Sequence, residues 1–499
     1  MKNSLLKNGF YNTVGGVVRI GLAVLTIPIL IRMLGIEEYG LWTLASAVVQ
    51  VVNLAEAGLS VATTVFVSQD IVKEDADDLS NSLSETLTVT FGGMLIFATL
   101  AAIALLFGAE AIVSLFPKLG QVQQVTIQHT LQIGGLVVWA RLLQRVLIGV
   151  EQAYQRYDLI SLFSTIESLL LSFGMLIVTW LGGRTIALMQ WQALAAIAIL
   201  LSHVWVLRNL THNVKLHVNW NQKRGLAIAR YSLMSWLTLL GGIIFARGDR
   251  LIVGSLLDTQ TLGVYAVMTD ITTQINSLSA LPVQPLLPSV SNLAANLDTH
   301  EAKLQKQVKQ ALQINSFIAL VIGAGLFTLA DDVLHLFIPG IFSKENIAAF
   351  YILVMIYSLY SINAVGYYLL LALNAADKCM LIQLISGISS LLLIAIGANQ
   401  FGLVGASLGN SGYLIIWLLT FFGMRQLFIP LKRWLIWLRY PLLWFFVVIM
   451  INFFLPSQLE VKIFTFFLET VLLTVWFIYE QNINVSSAIR RLFIKFVRS

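Results

Sequence analysis

A succession of long apolar stretches is the feature that most constrains what this chain can fold into. A helix needs about 20 mostly apolar residues to cross the hydrocarbon core of a bilayer, where backbone polar groups must be satisfied within the segment. Such stretches recur along the 499 residues. They predict about fourteen transmembrane helices, at 11–33, 40–66, 84–107, 126–150, 158–181, 185–207, 229–257, 262–290, 310–330, 346–373, 378–399, 402–424, 435–455 and 461–480.

The composition agrees with a membrane protein. Hydrophobic residues make up 58% of the chain and charged residues only 11%, against roughly one quarter in soluble domains. The single cysteine, Cys379, excludes a disulfide framework and a thiolate metal site. The first residues run into an apolar stretch without a small-residue cleavage site, which predicts a retained first helix.

The distribution of basic residues sets the expected orientation. Lys and Arg concentrate in alternate loops, and the positive-inside rule then places both termini on the cytoplasmic side. The net charge of +6 is spread over these loops, which indicates contact with anionic lipids and not with nucleic acid. Five arginines remain inside predicted helices: Arg19, Arg141, Arg145, Arg247 and Arg250.

An internal repeat predicts two parallel lobes of six helices. A shift of 223 positions places Gly40 and Trp42 on Gly263 and Tyr265. Six intervening helices give both copies the same membrane orientation. The predicted parts are an N-terminal lobe at 1–210, a cytoplasmic linker at 211–228, a C-terminal lobe at 229–425, and two extra helices with a basic tail at 426–499.

The five arginines are candidate substrate-binding residues, because a charge at the bilayer centre costs at least about 2.5–3.5 kcal/mol unless it faces a wet cavity or a partner. Arg19 lies near the middle of helix one, where a cavity-lining role is favoured over an ion pair. Arg141 and Arg145 share one face of helix four, and ligand binding or contact with lipid headgroups both remain open. Arg247 and Arg250 are three apart, so they can bind a ligand or pair with an acid.

Four acidic residues also lie inside predicted spans: Glu56, Glu167, Asp249 and Asp270. A carboxylate there must be paired, protonated or bound to a cation. The four therefore either couple transport to a proton or sodium gradient or form ion pairs with the arginines. Among the other polar residues, His203 and Asn363 are expected to form interhelical hydrogen bonds, and Asp331 and Asp332 to be solvated in an outer loop.

The sequence disfavours an enzyme. It contains no G-x-x-x-x-G-K-[ST] motif and therefore no recognisable ATPase of its own. No predicted outer loop is long enough for the catalytic domain of a membrane glycosyltransferase or ligase. We therefore expect no cofactor, and an energy source in an ion gradient.

Three segments resemble the polysaccharide transporters of the multidrug, oligosaccharidyl-lipid and polysaccharide (MOP) exporter superfamily, which include O-antigen-type (Wzx-like) flippases. They are LIRMLGIEEYGLWTLASAVVQVVNLAEAGLSVATTVFVSQ, GDRLIVGSLLDTQTLGVYAV and LALNAADKCMLIQLISGISSLLL. Glu56 stands where the family often has aspartate, and the G-D-R around Asp249 is similar to its usual acidic or amide residue followed by Arg. The L-G-x-x-x-Y-G turn is the most specific of these signals.

The resemblance implies a MATE/flippase-like fold in the bacterial inner membrane, with a central cavity that opens alternately to each side. It implies export of a polyprenyl-pyrophosphate-linked oligosaccharide for polysaccharide or O-antigen biosynthesis, together with a polysaccharide polymerase and chain-length proteins. Related flippases hold the headgroup with an arginine on the first helix, which corresponds in kind to Arg19. The two C-terminal helices resemble those that form a lipid-tail groove in lipid II flippases.

Three alternatives remain. A multidrug cation antiporter of the same superfamily would favour acidic and aromatic residues in its cavity. A polysaccharide polymerase or ligase would need paired catalytic groups on a long outer loop. A scaffold for envelope assembly would tolerate loss of every buried charge.

Overall fold

The structure is a computed structural model that describes residues 21, 25–56, 58–71, 76–211, 214, 216–286, 289–290, 297–338, 343–373, 375–454 and 458–480. The secondary structure of these residues is helical, without a strand. Arg19 lies outside the described residues.

The described residues in the first half of the chain form nine helices. They are α1 (Leu25–Leu34), α2 (Ile36–Val52), α3 (Leu59–Asp70), α4 (Ala76–Val113), α5 (Gln121–Ala153), α6 (Tyr157–Trp180), α7 (Thr185–Leu210), α8 (Gln222–Leu256) and α9 (Thr259–Ala280). A short 3-10 helix, Asn53–Glu56, lies between α2 and α3.

The second half continues after a 3-10 turn at Leu281–Val283. Its helices are α10 (Leu297–Thr328), α11 (Ala330–Phe337), α12 (Lys344–Ser361), α13 (Ala364–Ala372), α14 (Ala376–Gly409), α15 (Trp417–Gln426), α16 (Leu431–Asn452) and α17 (Leu459–Glu480). A 3-10 segment, Asn410–Ile416, joins α14 to α15.

The predicted spans correspond to these helices, with breaks that hydropathy does not show. Nine described helical segments are long and apolar enough to cross a membrane. One of them, Ala376–Gln426, covers two predicted spans and has a non-helical break at Phe401 and Gly402. Of the other predicted spans, 11–33 lies mostly outside the described residues, 40–66 is divided by the 3-10 helix, 229–257 corresponds to α8, and 262–290 leaves the α-helix after Ala280. The chain is a multi-pass membrane protein.

The chain forms two compact units. One takes in the described residues within Met1–Val267, Phe337–Pro339 and Leu391–Gly409, and the other those within Met268–Leu336, Gly340–Ser390 and Asn410–Ser499. In the first unit α8 packs against α2 and α3. The lobes and linker that the repeat predicts are defined by sequence similarity, and they stay a prediction.

The segment that precedes α8 is fixed along α4. The backbone N–H of His217 donates to Ser84 at 3.2 Å, and that of Asn219 donates to Thr88 at 3.1 Å. Asp70, which is buried at the end of α3, accepts hydrogen bonds from Arg224 and from Thr86. These contacts hold the described part of the predicted linker on the first unit.

The two C-terminal helices are bound to the second unit through α10 and α11. Lys462 of α17 donates to Asp331 at 3.2 Å and lies 3.5 Å from Asp332. The expectation that these two acids are merely solvated in a loop was therefore wrong, because the ammonium group on a neighbouring helix pairs with both of them. Asn363 accepts a hydrogen bond from Thr420 at 2.8 Å, which confirms its predicted role between helices.

The glycines that the repeat aligns lie at one helix crossing in the first unit. A Cβ atom on Gly40 of α2 would stand 2.0 Å from the carbonyl oxygen of Thr259, and one on Gly263 of α9 would stand 2.4 Å from that of Ile36. The aligned aromatic residues, Trp42 and Tyr265, are both buried. The glycine-aromatic turn thus allows two backbones to pack directly against each other.

Gly40→Ala should destabilise the protein, because its methyl group overlaps the backbone of α9. Overpacking of this kind costs about 1–3 kcal/mol. The midpoint of thermal unfolding, followed by tryptophan fluorescence in detergent, should fall. Gly92→Ala on α4 is the matched control, since no atom lies within 4 Å of its added Cβ. Equal midpoints for the two variants would contradict this crossing.

Candidate functional site

A cavity of about 580 Å³ lies within the first unit, between α3, α5 and α6. Its wall on α5 is one helical face, because the lining positions of that helix recur at intervals of three and four residues. The lining residues are Ser60, Val61, Thr64, Val65, Arg141, Gln144, Arg145, Ile148, Gly149, Gln152 and Glu167. The predicted stripe of Arg141 and Arg145 therefore faces a polar cavity.

Close packing of α3 on α5 forms the floor of this cavity. A Cβ atom on Gly149 would lie 2.7 Å from the carbonyl oxygen of Ser60, so only glycine permits this approach. It brings the Thr64 hydroxyl to 3.1 Å from the side-chain oxygen of Gln152, to which it donates. Sequence reasoning missed Thr64 and Gln152, although Gln152 shares the helical face of Arg145.

Arg141 is the more deeply placed of the two cavity arginines. Its Nη2 donates to Oε1 of Glu167 on α6 at 3.4 Å, and the exposed fractions of the two side chains are 23% and 21%. The Nε–H of Arg141 is buried and has no hydrogen-bond partner among the described residues. Because a guanidinium has five donors, this arginine keeps donor capacity for an acceptor in the cavity.

Arg145 forms a closer ion pair, with Glu56 of the 3-10 helix. Glu56 is buried and also accepts from the Ser60 hydroxyl, whereas 42% of the Arg145 side chain is exposed. Two of the four predicted acidic residues thus neutralise the two cavity arginines. Since each arginine stays partly exposed, pairing with an acid does not exclude a second partner for it.

The other predicted charges lie elsewhere. Asp249 of α8 is buried, accepts from the backbone N–H of Arg250 at 2.8 Å and from the Tyr265 hydroxyl at 3.2 Å. Arg247 and Arg250 both act on it electrostatically. Neither arginine belongs to the lining of the cavity between α3, α5 and α6.

Asp270 belongs to the second unit. Its carbonyl oxygen accepts from the Thr273 hydroxyl at 3.1 Å and from the Gln274 amide at 3.2 Å. The predicted site residues therefore fall into separate groups. Arg141, Arg145, Glu56 and Glu167 lie at the cavity, Arg247 and Arg250 act on Asp249, Asp270 lies in the second unit, and Arg19 is outside the described residues. In the part of the chain that the structure describes, no three or more His, Cys, Asp or Glu residues are grouped to hold a metal ion.

Sequence comparison identifies relatives along most of the chain. The sequence profile of the family described as "Polysaccharide biosynthesis protein" matches residues 5–294. The probable flippase AglR of Haloferax volcanii is 22% identical over 392 residues, which are 78% of this chain and 76% of the relative. A Shigella flexneri protein named "Putative O-antigen transporter" is 20% identical over 428 residues, 84% of this chain and 98% of that protein.

The fold is similar to that of a solved flippase. The lipid II flippase MurJ, in an inward closed conformation, matches with a TM-score of 0.75 over 97% of this chain and 99% of that one. At 16% sequence identity this likeness concerns the fold alone. It confirms the predicted fold class of an all-α, MATE/flippase-like membrane protein and, with the sequence relatives, the resemblance inferred from the motifs.

Arg145→Gln should lower the thermal unfolding midpoint, because it leaves the buried Glu56 carboxylate with Ser60 alone. Loss of one partner of a charged hydrogen bond costs on the order of 2 kcal/mol. The double variant Arg145→Gln with Glu56→Gln should regain most of that stability, since no buried charge remains.

The matched control is Arg156→Gln, whose ion pair with Asp158 is exposed and worth only about 0–1 kcal/mol. All variants are compared by tryptophan fluorescence in the same detergent. A double variant that is less stable than Arg145→Gln would contradict the stabilising ion pair between Arg145 and Glu56.

Proposed function

Because this chain belongs to the polysaccharide biosynthesis protein family, we propose that it is a flippase for a lipid-linked oligosaccharide. The matched relatives bear the names of a flippase and an O-antigen transporter, and their names support this class of activity. The substrate we propose is a polyprenyl-pyrophosphate-linked oligosaccharide, carried outward for polysaccharide or O-antigen biosynthesis.

The observation that carries the proposal is the pair of arginines on one wall of the cavity. A diphosphate carries several negative charges, and guanidinium groups bind phosphate oxygens through paired hydrogen bonds. Arg141 lines the cavity with a side chain that is 23% exposed, and Arg145 is also partly exposed. Both can therefore donate to a phosphate in the cavity.

The size of the cavity limits which part of the substrate it can enclose. Its volume of about 580 Å³ lies within the range of roughly 300–1,000 Å³ that holds compounds of drug size. This is enough for a diphosphate with the first sugars. The polyprenyl tail is expected to remain in the bilayer, where its apolar surface needs no protein cover.

The two glutamates pair with the cavity arginines when no substrate is bound, and they therefore influence how strongly a phosphate binds. Glu167 lies 3.4 Å from Arg141, a weak contact that an incoming phosphate can replace. Glu56 is held closely by Arg145 and Ser60, and we expect this pair to persist. Arg141 is then the principal headgroup ligand, with Arg19 as a second one from helix one.

The charge of the cavity separates this function from that of a multidrug cation antiporter. The charged lining residues are Arg141, Arg145 and Glu167, and once a phosphate has displaced Glu167, the Arg141 guanidinium is available to bind an anion. An antiporter for organic cations would need the opposite balance. We further propose that a proton or sodium gradient supplies the energy, with Glu56, Glu167, Asp249 and Asp270 as candidate coupling residues, and that no enzymatic step or cofactor is involved.

The cellular setting follows from the same proposal. We propose a place in the bacterial inner membrane with both termini cytoplasmic, as the loop charges predict. A polysaccharide polymerase and chain-length proteins would then act on the exported glycan at the outer face, and anionic lipids would contact the basic inner loops.

Arg141→Ala should lower the flipping rate at least about tenfold, since a lost hydrogen bond to a charged group is worth about 1.5–3 kcal/mol. The substrate probe is a fluorescent polyprenyl-diphosphate-linked oligosaccharide in proteoliposomes, and the readout is the rate at which a membrane-impermeant reductant bleaches it. Arg141→Lys keeps the positive charge but loses the paired N–H donors of the guanidinium, so its flipping rate should lie between those of wild type and Arg141→Ala.

Arg184→Ala is the control for this assay, because Arg184 lies outside the cavity and its side chain is 76% exposed. Wild-type flipping by Arg141→Ala would remove the assigned role of that residue. Transport of tetraphenylphosphonium without flipping of the lipid probe would instead support the antiporter.

A further inference from the structure

A second pair of buried ionisable side chains lies in the first unit, next to Gln144. Nδ1 of His203 on α7 lies 2.6 Å from Oε1 of Glu151 on α5. The exposed fractions of the two side chains are 2% and 1%. His203 thus has the interhelical hydrogen bond expected of it, but its partner is an acid.

The pair is built to share a proton. If Glu151 is ionised and His203 neutral, one negative charge is buried without a cationic partner, and burying an unpaired charge is strongly unfavourable. The second carboxylate oxygen of Glu151 is buried without a hydrogen-bond partner among the described residues. One additional proton makes the pair neutral overall, whether it resides on the imidazole or on the carboxyl group.

Gln144 connects this pair to the cavity. Its side-chain amide lies 3.5 Å from Nε2 of His203, and Gln144 itself lines the cavity beside Arg141 and Arg145. With the pair deprotonated, Nδ1–H donates to Glu151 and the lone pair of Nε2 accepts from the Gln144 NH₂ group. An imidazolium, or a carboxyl group whose hydrogen on Oε1 is donated to Nδ1, places a hydrogen on Nε2, which then needs the oxygen of the amide instead.

Protonation therefore requires the Gln144 amide to rotate, so that its oxygen faces Nε2 in place of its NH₂ group. The group that points away from His203 then changes from the oxygen acceptor to the NH₂ donor, and release of the proton reverses the change. Arg141 and Arg145 are three residues before and one after Gln144 on the same helix. The charge state of the buried pair is thus transmitted to the wall that carries the phosphate ligands.

Neighbours of this pair include Phe163 and Arg156. Phe163 of α6 packs edge-on against His203, with 5.0 Å between the ring centroids. Arg156 acts on Glu151 through space. The other ionisable residues on α3 to α7 are Asp70, Asp77, Asp78, Glu85, Glu110, His129, Arg141, Arg145, Tyr157, Asp158, Glu167 and Arg208. The hydrogen bonds of His203 are with Glu151 and Gln144.

We propose that Glu151 and His203 together form the binding site of the coupling proton, and that Gln144 transmits its occupancy to the phosphate site. The inference rests on the proposed flippase function. It assigns the proton to a pair distinct from the four acidic residues that the sequence suggested. Protonation and release then alternate with binding and release of the headgroup on the same helix, α5.

The first test measures the proton site without any transport. Nitrogen NMR of ¹⁵N-histidine-labelled wild-type protein in detergent reports whether Nε2 of His203 carries a hydrogen, with His203→Asn to assign the signal. On acidification over the pH range in which the protein stays folded, Nε2 should change from a lone pair to N–H. An unchanged Nε2 signal over that range would overturn the proposal, whatever the protein transports.

The second test measures coupling with the same fluorescent lipid probe. A pH difference across the proteoliposome membrane should accelerate wild-type flipping over its rate at equal pH. Glu151→Gln and His203→Asn should lose this acceleration and keep flipping at equal pH. Gln144→Met should lose the acceleration while the NMR signal of His203 still titrates, because its side chain cannot exchange donor for acceptor.

His129→Asn is the matched control, since His129 lines a separate apolar groove between α4 and α5 and should leave the acceleration intact. Acceleration that persists in Glu151→Gln and His203→Asn, or that is missing in wild type, would overturn the coupling role. Absence of flipping by wild type under every condition would refute the flippase function, whereas the NMR titration would still decide whether the pair binds a proton.

Discussion

Charges at membrane depth must be neutralised, and the first unit is organised around that requirement. Each cavity arginine on α5 has a carboxylate from another element, Glu167 on α6 and Glu56 on the 3-10 helix. An arginine without such a partner would be too costly in a region of low dielectric constant. The ion pairs join α5 to α6 and to the 3-10 helix, and their partly exposed head groups lie at the cavity.

Much of the fold could be predicted from the sequence, because hydropathy reports directly what lipid requires. Positions of the long spans and the turn around Gly40 and Gly263 are examples. The break at Phe401 and Gly402 falls at the predicted boundary between 378–399 and 402–424. The break at Asn53–Glu56 could not be predicted, since an interrupted helix keeps the same apolar composition. Whether such a break forms depends on which backbone or side chain packs against it.

The site could be predicted only in part. Spacing places Arg141 and Arg145 on one helical face, but it cannot distinguish them from Arg247 and Arg250, which show the same local pattern and belong to another cluster. Partners across helices depend on tertiary packing, so the pairing of each acid remained open. Glu151 was missed because helix four was expected to end at residue 150, whereas α5 continues to Ala153. Just past the end of the predicted helix, Glu151 would lie at the membrane interface, whereas in the structure it is buried within α5.

A transporter must release what it binds, and the ion pairs make this possible. Two arginines without counterions would grip a diphosphate too tightly for rapid turnover, since hydrogen bonds between charged groups are worth about 1.5–3 kcal/mol each. Here the phosphate has to displace Glu167 from Arg141, so part of the interaction energy is spent on an exchange of partners. A proton-dependent turn of Gln144, between the two arginines, can shift that exchange in either direction. Binding strength and its regulation would then reside on the single helical face that also holds the helices together.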